Sequence, residues 1–251
     1  TVHYRNARYG RYGSLQPRGV AMLLTAAQSQ IFNPKGLVSD ADLASLPADY
    51  HAILAPSSMS RVMLCPASAQ ASLRCPIQPQ SVPAYRGSLL HEFVVDMYLN
   101  KTKIDGYLGN YTHATDGIEY KVTVDDMEQV KECVRHLMLL ERTYGKENIW
   151  LEQSGSLAAF GIPFIHGTAD VVVRVGKTLF IIDWKFGTGV QVFVHEHGTP
   201  NPQLMNYALM HMGNVEEVNL RIVQPPHFYD ETTTITADEL RAWFKDYFRP
   251  V

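Results

Sequence analysis

The chain has 251 residues, 46% of them apolar and 19% charged, with a net charge of −3. That length can bury a full hydrophobic core, and no apolar run approaches the roughly eighteen residues that a bilayer-spanning helix needs. Three cysteines, Cys65, Cys75 and Cys133, with no C-x-x-C pair, exclude a disulfide framework and a zinc ribbon and lead us to expect reduced thiols in a cytoplasmic protein.

Taken in chain order, residues 1–50 read as a basic arm or extension. No acidic residue precedes Asp40, whereas Arg5, Arg8, Arg11, Arg18 and Lys35 do, leaving 17 of the 22 basic residues to face all 25 acidic ones. With Tyr4, Tyr9 and Tyr12 such an arm can track phosphates and stack on bases; equally, it can be a terminus that happens to be basic. Thr1 to Gly13 holds no apolar stretch, so no secretory pattern is expected there.

Pro56-Ser57-Ser58 reads as a helix start, with Met59, Val62 and Met63 at helical spacing before Cys65-Pro66 ends it. Arg74 to Pro83 holds three prolines and reads as a loop. From Arg86 to Leu99, Leu89, Leu90, Phe93, Val94 and Met97 recur at steps of three and four, the pattern of an amphipathic helix. A second helix is predicted from Val124 to Tyr144, opened by a capping box at Thr123 and Asp126 and lined by Met127, Val130, Val134 and Leu137.

The pattern then changes to strands: Ile149 to Gln153, then Val171 to Val175 and Thr178 to Ile182 joined by Gly176-Lys177 as a hairpin. Pro202 to Met212 reads as a helix, Val218 to Val223 as a strand, and Thr236-Ala237-Asp238-Glu239 as the cap of a last helix reaching Phe248. The expected layout is a helical part over 56–145, a sheet core over 149–224 and a C-terminal helix over 237–248, an α/β or α+β arrangement.

The hairpin carries the sharpest chemical inference. If Gly176-Lys177 is a two-residue turn, Val175 faces Thr178, and counting back along both strands brings Asp170 opposite Asp183. Opposed residues have Cβ atoms about 4.5–5.5 Å apart, close enough for two carboxylates to share a cation. Lys185, two residues beyond Asp183, returns to the same face. Side by side the carboxylates repel, and a hard cation relieves that repulsion, polarises a phosphate oxygen and lowers the pKa of a water. A nearby Lys can position that water or neutralise charge on the phosphorane. The plainer alternative is a turn-capping Asp170 with Asp183 and Lys185 as a strand-end ion pair. A charged triplet closing the run Leu179-Phe180-Ile181-Ile182 is costly unless something uses it.

Gly167-Thr168-Ala169-Asp170, thirteen residues before Asp183-Trp184-Lys185, resembles motifs II and III of the PD-(D/E)XK nuclease superfamily, and more narrowly its RecB-like exonuclease branch with phage and prophage members. Gln203-Leu204-Met205-Asn206-Tyr207 is similar to the Q-x-x-x-Y motif of that branch, Gly87-Ser88-Leu89-Leu90-His91 to its upstream G-x-x-x-H helix, and Ser58 through Cys65-Pro66 to its early helix ending in Cys-Pro. The ordered set covers about residues 56–210.

The resemblance implies a restriction-endonuclease-like core, a mixed central sheet flanked by helices, with an N-terminal helical extension, and residues 51–251 as the nuclease domain. It implies Asp170, Asp183, His91 and the main-chain carbonyl of Trp184 as ligands of one or two Mg²⁺ or Mn²⁺ ions, and Lys185 as the catalytic lysine. Gln203 and Tyr207, four apart on one helix face, would contact the DNA backbone or orient the Lys185 end. From the residues alone, His91 can equally be a hydrogen-bonded helix residue, and Gln203 and Tyr207 ordinary packing residues. Glu152 is a supporting candidate only. The iron–sulfur members of the branch carry a late cysteine cluster, and this chain has no cysteine after Cys133, so no cluster is expected; Cys65 and Cys75 read as buried or capping thiols.

His195-Glu196-His197 lacks the H-E-x-x-H spacing that puts two His on one helix face and, flanked by Gly187, Gly189 and Gly198, reads as a substrate-facing loop rather than a second metal site. The expected activity is metal-dependent phosphodiester hydrolysis on duplex DNA ends or single strands, an exonuclease of phage recombination or DNA processing, in the host cytoplasm if phage-encoded, with a recombinase or single-strand-binding protein as a conceivable partner and no membrane. A structure- or site-specific endonuclease on the same core, and a non-catalytic DNA-binding protein, remain open.

Overall fold

Local signals set the helices. In the computed structural model, which describes residues 3–4, 54–74, 80–113 and 117–248, a 3-10 turn at Pro56–Ser58 leads into α1 (Met59–Leu64), which ends at Cys65 as its sequence suggests. Cys65 is exposed rather than buried; Cys75 and the basic arm, apart from His3–Tyr4, lie outside the described residues. α2 (Ala67–Arg74) follows.

The next helix, α3 (Val82–Asn100), begins inside the stretch expected to be loop. Ser81 caps it by accepting from the Ala84 N–H at 3.3 Å, and Pro83 falls in the first turn, where a missing N–H costs nothing. α4 (Val124–Tyr144) matches its predicted limits, because the Thr123–Asp126 capping box is present in full.

The helical part is nonetheless not purely helical. Between α3 and α4 lies an antiparallel hairpin, β2 (Gly109–Thr112) and β3 (Glu119–Val122). Its strands are short and half polar, so the alternation is too brief to stand out. What holds it is tertiary: Phe93 of α3 packs on Tyr111 at 5.3 Å between ring centroids, and Val122 is buried.

The remaining elements are β4 (Ile149–Leu157), β5 (Ile162–Val175), β6 (Thr178–Trp184), the two-residue β7 (His195–Glu196) and β8 (Thr199–Pro200), α5 (Pro202–His211), β9 (Glu217–Gln224), β10 (Tyr229–Thr236) and α6 (Ala237–Trp243), which widens into a π turn over Phe244–Phe248. With β1 (His3–Tyr4) they form a six-stranded mixed sheet in the order β1-β4-β5-β6-β9-β10. The sheet therefore extends beyond the expected 149–224 at both edges: β1 pairs parallel with β4, and β10 antiparallel with β9. The β5–β6 hairpin has the anticipated register, Val175 against Thr178 through Val171 against Ile182, with Gly176 at φ 56° in the turn.

Strand alternation gives the sheet an apolar surface on both sides. Leu179 and Ile181 of β6, with Val218, Leu220 and Ile222 of β9, pack against α1, α5 and α6. Ile182 and Trp184, with Val171 and Val173 of β5, pack against α3 and α4. The fold is thus an α/β arrangement with a mixed sheet between helices. β6 and β9 run parallel, Thr178 beside Glu217 and Trp184 beside Val223, so their carboxyl ends share one edge. Among the described residues no helix is long and apolar enough to cross a membrane.

Candidate metal centre

The carboxyl end of β6 brings Asp183, Trp184 and Lys185 to that edge, between the two helical layers. Asp170 on β5 and Asp183 on β6 are 8% and 3% exposed, and buried charges require partners. Asp170 Oδ2 accepts the main-chain N–H of Trp184 at 2.7 Å, and its Oδ1 lies 3.4 Å from His91 Nδ1, delivered by α3. Asp183 Oδ2 lies 2.8 Å from Lys185 Nζ, and its Oδ1 accepts from Gln203 Nε2 at 2.9 Å. Gln203 also accepts from Lys185 Nζ at 2.8 Å and donates to the Tyr207 hydroxyl at 3.4 Å. One amide therefore bridges ammonium and carboxylate.

The electrostatics follow from this pairing. Burial disfavours charge on His91, but the carboxylates of Asp170, Glu152 and Asp183 outweigh it and raise the imidazole from 6.5 to about 9. Burial alone would raise Asp170 too; the His91 charge and hydrogen bond and the Trp184 N–H hold it below the ordinary carboxylate range. Asp183 moves the other way, pushed up by burial and by Asp170 despite Lys185. Two neighbouring acids thus differ in how readily they ionise. Tyr207 is pushed up by burial and then by Asp183 and Asp170, so its phenol stays protonated.

Glu152 is the member that sequence reasoning undervalued. Ligand atoms of His91, Glu152 and Asp170 all lie within 4.8 Å of one another. In the β4–β5 ladder Leu151 pairs with Val171 and Gln153 with Ala169, so Glu152 occupies the position opposite Asp170. Its φ is 48°, a left-handed conformation that costs a β-capable side chain about 1–3 kcal/mol and collects at functional sites. The signal that would have found it is the same opposite-residue count that joined Asp170 to Asp183. That count needs the β4–β5 register, and the turn between those strands carries an irregularity after Ser156 that no local rule anticipates.

Other expected residues fall into place differently. Trp184, whose main-chain carbonyl is the expected ligand, donates its N–H to Asp170. Asp183 stands outside the three-residue group, occupied by Lys185 and Gln203. His195 does not join the centre: its Nε2 is 3.3 Å from Thr233 Oγ1 on β10. Glu196 instead accepts from Asn201 Nδ2 at 2.7 Å, and Asn201, 2% exposed, caps α5 by accepting the Gln203 N–H at 2.9 Å. The β7–β8 hairpin therefore helps set where Gln203 begins its helix, a role absent from the sequence reading.

The donor set, one imidazole nitrogen and carboxylate oxygens from two half-buried residues and the buried Asp170, within 4.8 Å of one another, fits a divalent cation. Fold and site together describe an α/β protein with a candidate cation-binding centre at the carboxyl edge of its sheet. Residues 51–251 match the family DUF2800, described as a protein of unknown function, and the chain belongs to that family. No curated protein matches it. Among solved structures it is similar to the crystal structure of SSO0001, at 13% identity, covering 76% of this chain and 86% of that one with a TM-score of 0.25.

Proposed function

We propose that this protein is a metal-dependent deoxyribonuclease of the PD-(D/E)XK type, acting as an exonuclease on DNA in phage recombination or DNA processing. The observation that carries the reading is the convergence, at one sheet edge, of Asp183 held to Lys185 and Gln203 with Asp170 held to His91. His91, Asp170, Asp183 and the Trp184 carbonyl would hold one or two Mg²⁺ or Mn²⁺ ions, and Glu152 joins them on geometry. When bound, such a cation supplies Lewis-acid polarisation of a phosphate oxygen and acidifies water.

The chain's own groups do the rest. Lys185, fixed by two acceptors at 2.8 Å, keeps its ammonium beside the acids, where it neutralises charge developing on a phosphate. Gln203 shares the ammonium with Asp183, so Lys185 is held from two sides. Tyr207, kept protonated, retains an O–H to offer a phosphate oxygen.

The test is incubation of linear duplex, single-stranded and covalently closed circular DNA with the protein in Mg²⁺, Mn²⁺ or EDTA. The expected result is cation-dependent loss of linear DNA, intact circles, and no activity in Asp183→Ala or Lys185→Ala. Nicked circles would favour an endonuclease. DNA binding without cleavage, with wild type and Asp183→Ala equally inert, would make it a non-catalytic binding protein.

A further inference from the structure

We propose that Arg86 is the positioning residue of the candidate metal centre, tying the helix that carries His91 to the strand exit that carries Lys185. The inference rests on the metal-centre reading above. Arg86 lies on α3, five residues before His91. Its Nε donates to Asp126 Oδ1 at 2.8 Å, its Nη2 to Gln129 Oε1 at 2.9 Å, and its Nη1 to the Phe186 carbonyl. Two acceptors on α4 and one just past β6 occupy one planar fork, which an ammonium cannot reproduce.

Both ends of this tie are anchored. Asp126 is 3% exposed and also accepts from the Tyr120 hydroxyl and from the Thr123 N–H and hydroxyl, each at 2.8 Å. Asp126 is therefore pinned at the start of α4. Phe186 directly follows Lys185, and its ring stands edge-on to His91 with centroids 5.1 Å apart at 88°. The next carbonyl, that of Gly187, accepts from the fully buried Gln224 at 2.8 Å. Consecutive carbonyls just past β6 are thus held from α3 and from β9. Arg86 sets the Phe186 backbone, Phe186 sets the plane of the His91 ring, and the ring faces Asp170. A guanidinium that served only to join α3 to α4 would need Asp126 and Gln129 but not Phe186.

Mn²⁺ binding to the full chain, measured by titration calorimetry beside the Tm of the cation-free protein, tests this. Asp170→Ala is expected to abolish binding. Arg86→Gln and Arg86→Lys are both expected to weaken Mn²⁺ at least tenfold, lysine giving no rescue. Gln129→Ala, which removes another bond of the same fork, is expected to lower Tm while keeping affinity within twofold. Should Arg86→Gln fail to fold, Arg86→Lys carries the comparison. If the Arg86 variants bind Mn²⁺ like wild type while Asp170→Ala does not, the positioning role falls and the metal centre stands. Equal weakening in Gln129→Ala would mean general loosening of α4 and would also overturn the role. If Asp170→Ala binds as wild type does, or wild type does not bind, the metal-centre reading fails and takes the proposal with it.

Discussion

Gln203 shows how much of the candidate site depends on one neutral side chain. Its amide oxygen accepts a hydrogen bond from Lys185 and its amide nitrogen donates one to Asp183, so it holds two opposite charges in a fixed relation without adding a third. If the protein is the proposed nuclease, Gln203→Leu should lower DNA degradation about 10- to 100-fold, the usual cost of removing a group that orients a site residue, with little change in Tm; a full-rate variant would remove Gln203 from the site. Glu152 makes the complementary case. Its left-handed backbone favours glycine, so Glu152→Gly should leave the fold at least as stable, by up to about 1 kcal/mol, while weakening Mn²⁺ binding. A loss of stability in thermal melts without loss of the cation would reverse that assignment. Asp170 and Asp183 were legible at this scale because a two-residue turn fixes which residues oppose each other. Glu152 was not, because its neighbour is set by an irregular turn.

At the scale of elements, Gly167 explains why the first acid's motif opens on glycine. A Cβ there would lie 2.8 Å from Pro56 Cδ, 3.0 Å from Pro56 Cγ and 3.2 Å from Tyr207 Cε1. The turn before α1, strand β5 and helix α5 meet at that point, which links three motifs far apart in the chain. Gly167→Ala should cost about 1–3 kcal/mol through overpacking, read as a lower Tm, and should disturb Tyr207; an unchanged melt would show that Pro56 yields freely. Helix α4 was readable to its limits because its capping box and its three- and four-residue spacing are local. β10 was missed for the opposite reason. Tyr229–Thr236 is rich in threonine and carries two acids directly after Tyr229, and as an edge strand it buries little. Only its ladder with β9, Tyr229 against Gln224 through Thr236 against Glu217, defines it.

Across the whole molecule, the two apolar layers join at a sheet with few ionisable groups inside it, and acid sensitivity should come from those few. His211, at the end of α5, is held down to about 4 from its ordinary 6.5, by burial first and also by the nearby Arg174 charge, with the Gln153 backbone opposing. Above about pH 6.5 the imidazole is neutral in both states, and the folded chain keeps its full stability. As pH falls toward 4 the unfolded chain takes up a proton that the folded chain refuses, so stability drops by about 3 kcal/mol at most; below 4 the loss stops. Denaturant melts between pH 7 and 4 should show this slope, and His211→Phe should flatten it. A variant with the same slope as wild type would clear His211 of the effect.

Sequence alone sufficed for the starts of α4 and α6 at their capping boxes, and for the β5–β6 hairpin with its register, because these depend on interactions between residues near in the chain. Which distant groups complete the centre depends instead on how the layers pack. His91 arrives on α3, Glu152 across an irregular β4–β5 turn, Gln203 on a helix whose start is capped by Asn201, and Arg86 through a fork shared between α4 and the strand exit. Those contacts are set by how layers pack on the two faces of the sheet, and packing between layers leaves no local periodicity to read.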